Sequence, residues 1–538
     1  MKKSTSGPFV TTLLKTAKTG HISRRTFMEG ALAAGLGVTA AQLLWSKEVR
    51  SAEPRKGGIF RAGLHDGSTT DTLDPATANS IFAVQLNNAA RSFLTEISPT
   101  NEISPDSAES WEASADAKTW RFKLARGQEF HNGKPLTAKD VVATLNYHRG
   151  EGSASAVKPL LASVTNVAAD GDDTVVITLN TGNADMPFIM SDYHLGILPA
   201  DNEGKVDAGS GIGSGPYKIE KFQPGIAAEL VRHEKYHRAD QAFFDGVRLL
   251  SLTDGNARHQ AIATGDVDAV TELDLRTLHL LARNTDVKID EVPGGTYNGM
   301  PMNCRVAPFD NPDFRLALKY ILDREEILNK ILFGHATIGN DQPVSPTMPY
   351  YASDIPQRAY DPDKAKFHFK KSGLSNVKVQ LSAGDAAFAG SVDMGLLFQA
   401  AAEKIGIGIE VINEPADGYW TNVWQKKPFV VVANGQRPTP DMIFSLFFLD
   451  GAPWNDTGWS EPRFQSLLLE AKSELDQKKR AGMYREMQQV CSDQGGTLIP
   501  FFRNKVMARR SNVAHGPSIS SAWELDGGKA YQRWWFEA

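Results

Sequence analysis

The chain has 538 residues, of which 41% are hydrophobic, 22% charged and 9% aromatic, with a formal net charge of −5. Those proportions exclude disorder, collagen and coiled coil, and a chain of this length divides into two or three packed units. Two cysteines exclude a disulfide scaffold and a Cys-rich metal site, while the acidic balance excludes nucleic acid, which needs clustered Lys and Arg.

At the N-terminus, Lys2, Lys3, Lys15, Lys18, Arg24 and Arg25 precede the first acid, Glu29, and a small-residue apolar run follows over 30–45. That run is shorter than the roughly 20 residues of a membrane helix. A basic region before a short apolar one reads as an export signal over residues 1–52. Ser23-Arg24-Arg25-Thr26-Phe27-Met28 matches its twin-arginine form, so the twin-arginine translocase is an expected partner during export. Cleavage near Ala52 would leave a net charge of about −11. No Cys precedes Cys304, so the processed chain is expected in the periplasm without a lipid anchor. Cys304 and Cys491 could pair there, or remain as two buried thiols.

Short strand-like runs then alternate with helical patterns, which predicts an α/β chain. Residues 57–62 read as a first strand. Residues 120–124 alternate apolar and polar at period two, and 175–179 are rich in β-branched residues. Asn132-Gly133 reads as a hairpin turn. Thr137 is a natural N-cap with Asp140 at the third helical position, followed by Val141, Val142 and Leu145. Pro312 opens a second helix, on which Phe314, Leu318, Ile321 and Leu322 recur at helical spacing. Asp323-Arg324, near the centre of that pattern, reads as a local ion pair. Residues 464–490 read as one or two amphipathic helices, and 498–502 as a strand.

Several motifs occur in a fixed order: Leu73-Asp74-Pro75, then Pro105-Asp106-Ser107-Ala108-Glu109-Ser110-Trp111, then 118–127, Phe130-His131-Asn132-Gly133 and 136–141. Gly213-Ser214-Gly215-Pro216-Tyr217, residues 261–268, Met302-Asn303, Pro308-Phe309-Asp310-Asn311-Pro312, 321–327, Pro343-Val344-Ser345-Pro346 and 360–365 follow. Together they resemble the family 5 extracellular solute-binding proteins, the dipeptide, oligopeptide and nickel receptors of ABC importers. The resemblance implies a two-lobe, Venus-flytrap α/β fold with an enlarged first lobe. Residues 53–302 and 503–538 would form lobe one, and 303–502 lobe two. It also implies a monomeric receptor, not an enzyme, without a cofactor. Such a receptor captures a peptide or peptide-like solute and delivers it to the permease subunits.

By the same resemblance, Asn79 and Ser80 would line the pocket after the Leu-Asp-Pro motif, unless they simply start a helix. Dipeptide receptors hold the ligand's ammonium with an Asp five residues before the Asp of a Pro-Asp pair. Here the pair is Pro440-Asp441, and Gln436 stands at that place, followed by Arg437. The Arg that would hold the peptide carboxylate has no counterpart in 383–393. Arg437, facing the cleft, would favour an anion. That opens an alternative ligand class of opine-like conjugates, sugar acids or oligosaccharides. Tyr419, Trp420, Trp424, Trp454 and Trp459 could stack on a ligand or form core.

His233-Glu234-Lys235-Tyr236-His237 fits the H-E-x-x-H pattern of zinc peptidases. The preceding residues alternate like a strand, and Lys235 places a cation inside the motif, so an exported zinc peptidase is only a remote alternative. The glycines of 209–215 lack the spacing of a phosphate loop.

Overall fold

Residues 54–537, with Met28, Gly30 and Ala31, are described by a computed structural model. The arginine pair and the cleavage region lie outside the described residues. The strand Ile59–Leu64 lies at the centre of a seven-stranded sheet, parallel to Gly246–Ser251 on one side and to Ala269–Val270 on the other. Ala227–Arg232 and Tyr217–Gln223 extend one edge; Lys505–Arg510 and Val287–Val292 extend the other. The C-terminal segment thus returns to the sheet that the first strand begins.

A smaller antiparallel sheet orders Ala108–Ala113, Thr119–Leu124, Thr174–Leu179 and Val164–Asp170. Along Thr119–Leu124 the period-two pattern is realised: Trp120, Phe122 and Leu124 are buried, and Lys123 is exposed. The helix Ala138–Arg149 packs Val141 and Leu145 into the same core. Its start is held by Asp140, whose Oδ2 accepts from the Thr137 amide at 2.9 Å and hydroxyl at 2.8 Å.

A third sheet orders Ala336–Ile338, Thr497–Arg503, Tyr297–Pro301 and Val432–Asn434. The parallel pair Lys378–Ala383 and Gly408–Asn413 joins it through a bridge from Ser382 to Val430. Two buried cores are drawn wholly from residues 297–502, and three from residues 60–287 and 506–534. The chain therefore packs as two bodies. It crosses between them around Gly294-Gly295 and again around Arg503–Lys505.

Helix Pro312–Ile321 starts where Pro312 predicts, with the Asn311 side chain accepting from the amides of Asp313 (3.0 Å) and Phe314 (3.2 Å). The pair Asp323-Arg324 is different from expectation. Asp323 ends that run and caps a new helix, Arg324–Ile331, and Arg324 reaches away to Asp341 at 2.7 Å, both side chains buried. Periodicity continues across the break, which hid it. Residues 462–494 form two helices, Pro462–Ser473 and Gln477–Gln494, the second capped by Asp476. Cys304 and Cys491 are free thiols, and burial pushes the Cys491 thiol up to about 12. Among the described residues no helix is long and apolar enough to cross a membrane.

Candidate ligand-binding site

The two bodies meet along the loop that follows the strand Val432–Asn434. At its start, the Asn434 amide donates to the Tyr297 hydroxyl at 2.9 Å, pinning a buried phenol to the sheet. The Gln436 side-chain oxygen accepts from the Gly295 amide at 3.0 Å, tying this loop to the crossing segment. A Cβ on Gly295 would lie 2.6 Å from Gln436 Cγ, so any larger residue there would push the Gln436 side chain out of this position. The polar atom that could have replaced the ammonium-binding carboxylate is therefore already used inside the fold.

Arg437 is half-buried and has no carboxylate within 4.0 Å among the described residues. Its Nη1 donates only to the carbonyls of Gly435 (3.2 Å) and Gln436 (3.0 Å). Burial lowers its pKa, against the attraction of Asp192 in the first body. Tyr193, next to Asp192, feels the Arg437 charge as well and packs edge-on against Trp523 at 5.1 Å. Asp192 itself caps a short turn and holds His194 Nδ1 at 2.7 Å. The guanidinium thus lies within electrostatic reach of Asp192 and Tyr193 of one body and of Tyr297 of the other.

Further along, Asp185 of the first body meets Arg480 at 2.6 Å, with side chains 1% and 2% exposed. The Thr439 hydroxyl also donates to Asp185, while its oxygen accepts from the Met442 amide to cap helix Pro440–Phe447. The Ala184 amide donates to the Lys472 carbonyl at 2.8 Å. Burial and the nearby Asp185 charge push the Asp441 carboxyl up to about 6. A pocket of about 160 Å³ opens at the crossings, lined by Glu272, Thr296, His335, Arg503, Asn504 and Glu524 among others.

The remaining sequence candidates separate. Asn79 is exposed, whereas Ser80 is buried and fully engaged: it donates to Asp71 at 2.7 Å and caps helix Ile81–Ala90 by accepting from the Ala83 amide. Tyr419 is core, its hydroxyl donating to the Val431 carbonyl at 2.8 Å. Trp459 is core too, while Trp420 and Trp454 are exposed. Asp185, Asp192, Tyr193, Arg480 and Trp523 carry no local motif, and only tertiary folding brings them to the seam.

The H-E-x-x-H motif does not lie on a helix. It follows the strand Ala227–Arg232 as a turn, so its histidines do not share one helix face. His233 is buried, with Nδ1 at 3.3 Å from the Gly215 carbonyl, and His237 Nε2 faces Asp106 at 3.8 Å. Glu234 is exposed beside Arg232. No group of three metal-ligating side chains occurs among the described residues. The zinc-peptidase alternative loses the helix that it requires.

Residues 102–456 match the model of the bacterial extracellular solute-binding proteins, family 5 (middle region). The chain belongs to that family. Family 5 members are binding receptors rather than enzymes, and their two-lobe fold is the one seen here. The dipeptide-binding protein of Escherichia coli (strain K12) is 24% identical over 438 residues, covering 74% of this chain and 81% of its own. Two solved family 5-like structures superpose over most of the chain. One is the periplasmic binding protein DppA from Helicobacter pylori in complex with the peptide STSA, with TM-score 0.72, 21% identity, and coverage of 90% of this chain and 99% of that one. The other is AgaA from A. tumefaciens R10 in complex with agropinic acid, with TM-score 0.71, 21% identity, and coverage of 89% and 99%.

Proposed function

We propose that the chain is a periplasmic receptor of an ABC importer. It captures peptides or peptide-like solutes between its two bodies and presents the closed form to the permease. Of the expected lobes, 53–302 with 503–538 and 303–502, we draw the first boundary back to about residue 296, because Tyr297–Pro301 pairs with Val432–Asn434 and Thr497–Arg503 of the second lobe. Arg437 carries the reading: a half-buried guanidinium in the seam, unpaired with any carboxylate among the described residues, offers parallel N–H donors to an anion. Closure removes that contact from water and strengthens it, and a permease can discriminate the resulting shape. The N-terminal segment directs export by the twin-arginine route, and the processed protein acts as a monomer.

A second reading takes an opine-like, sugar-acid or oligosaccharide ligand. It is favoured by Gln436, which stands in place of the ammonium-binding Asp and spends its oxygen on Gly295. The structural likeness to a protein solved with agropinic acid is consistent with it.

A thermal-shift screen of residues 53–538 separates the two. A ligand at 100 times its Kd stabilises the fold by about 2.7 kcal/mol, a readable shift. Shifts with tri- and longer peptide pools, but not dipeptides, support a peptide held by its backbone. Shifts with opines or sugar acids alone move the assignment to the second reading. No shift with any pool overturns both.

A further inference from the structure

We infer that Asp456, with the indoles of Trp424 and Trp454, forms a second polar subsite that takes an ammonium or guanidinium group of the solute. This deepens the receptor reading above and rests on it for the identity of the solute. Several buried acids of the fold have a cationic partner at hand: Asp341 has Arg324 and Arg358, Asp185 has Arg480, and Glu96 has Arg238, whereas Asp71 is held by the Ser68 amide and the Ser80 hydroxyl. Asp456 is half-buried and has no Lys, Arg or His within 4.0 Å among the described residues. Its Oδ2 accepts from Trp424 Nε1 at 3.0 Å, and the other donors to the carboxylate are neutral too, the backbone amides of Asp456 and Thr457.

The surroundings suit an organic cation. Trp454 meets Trp424 edge-to-face at 5.7 Å, and Trp420 meets Trp424 at 6.1 Å. Trp454 and Trp420 stay 40% and 44% exposed, which leaves aromatic surface to cover. Aromatic faces attract cations, and a desolvated carboxylate gains most from a cationic partner. Burial has pushed the Asp456 carboxyl up to about 7, as expected for an acid still lacking its counter-charge. Asp456 and Arg437 both act electrostatically on the buried Tyr297 hydroxyl, in opposite directions, so charges of opposite sign lie within reach of one phenol. A solute bearing both an amine and a carboxylate matches that arrangement. The groups facing Asp456 are Trp424, which is neutral, and Tyr297, held protonated by burial; Asp450, on the same loop, faces Arg305 at 4.0 Å.

The test is intrinsic tryptophan fluorescence of the processed chain, titrated with agmatine (a guanidinium with no carboxylate) and with Ala-Lys-Ala beside its side-chain-acetylated form. Saturable quenching by agmatine is expected, about tenfold tighter at pH 8 than at pH 6 because only the ionised carboxylate binds. Asp456→Asn should abolish the pH dependence and weaken binding about tenfold or more. Asp456→Glu should retain it. Agmatine binding that is absent, or equal in wild type and Asp456→Asn, overturns the subsite. Tripeptides binding wild type and Asp456→Asn alike also overturn it, while leaving the peptide reading intact. Agmatine binding that depends on Asp456, with no response to any peptide, supports the subsite and moves the solute class away from peptides.

Discussion

At the residue scale, the seam is defined by which charges are satisfied. Arg437 and Asp456 lack ionic partners within 4.0 Å among the described residues, and unpaired, partly desolvated charge is where a ligand gains most. Replacing Arg437 with Ala should weaken an anionic solute about tenfold or more in a calorimetric titration, since a charge-assisted hydrogen bond contributes about 1.5–3 kcal/mol. Unchanged affinity would remove Arg437 from the site. Asp441 makes the opposite kind of prediction. Its carboxyl is raised to about 6 by burial and by Asp185, against a value of about 4 in an unfolded chain. Between those values the folded state binds more protons, so stability declines as pH rises through that window. Asp441→Asn should therefore raise stability at pH 7 by about 1–2 kcal/mol and make no difference near pH 4. Melting temperatures at both pH values check this.

At the element scale, caps and periodicity decide what forms. Asp140 is fully buried and accepts from the Thr137 amide, the Thr137 hydroxyl and the Ala200 amide at 2.8 Å, and it also pairs with Lys134. Thr137→Ala removes one of these donors and should cost about 1 kcal/mol in urea unfolding. Asp140→Ala leaves the Thr137 and Ala200 amides without their acceptor, while the partly exposed Lys134 turns to solvent, and should cost about 2–4 kcal/mol. Equal effects would mean that the cap alone matters there. The strands and this capped helix were legible because period two and capping chemistry are local. The break at Asp323 was not, because apolar spacing runs through it and the partner of Arg324 lies 17 residues on. Ser80 was legible only as a choice between cap and ligand contact. Its hydrogen bond to Asp71 commits it to the cap.

At the scale of the whole molecule, two bodies share a seam that contains a buried ion pair. Asp185 and Arg480 lie 295 positions apart in sequence and 2.6 Å apart in space. Asp185→Asn strands the Arg480 charge, which should lower the melting temperature and open the seam. Small-angle scattering should then report a larger radius of gyration. A lower melting temperature with an unchanged radius would confine the pair to local stability. Asp185→Asn with Arg480→Met should regain part of the loss, since the stranded charge is then gone.

By itself, the sequence determined the α/β class, the family and the places where local chemistry starts helices and strands, because spacing, caps and ordered motifs are properties of neighbours along the chain. It also marked the loss of the ammonium-binding Asp at Gln436 and the candidate cation at Arg437. Tertiary structure decided which of those side chains were free. It bound Gln436 to Gly295, buried Tyr419 and Trp459, and set Asp456 against Trp424. It also split the H-E-x-x-H residues among unrelated partners. Whether a polar group is available to a ligand depends on what fills the space around it, and distant segments of the chain supply that surrounding.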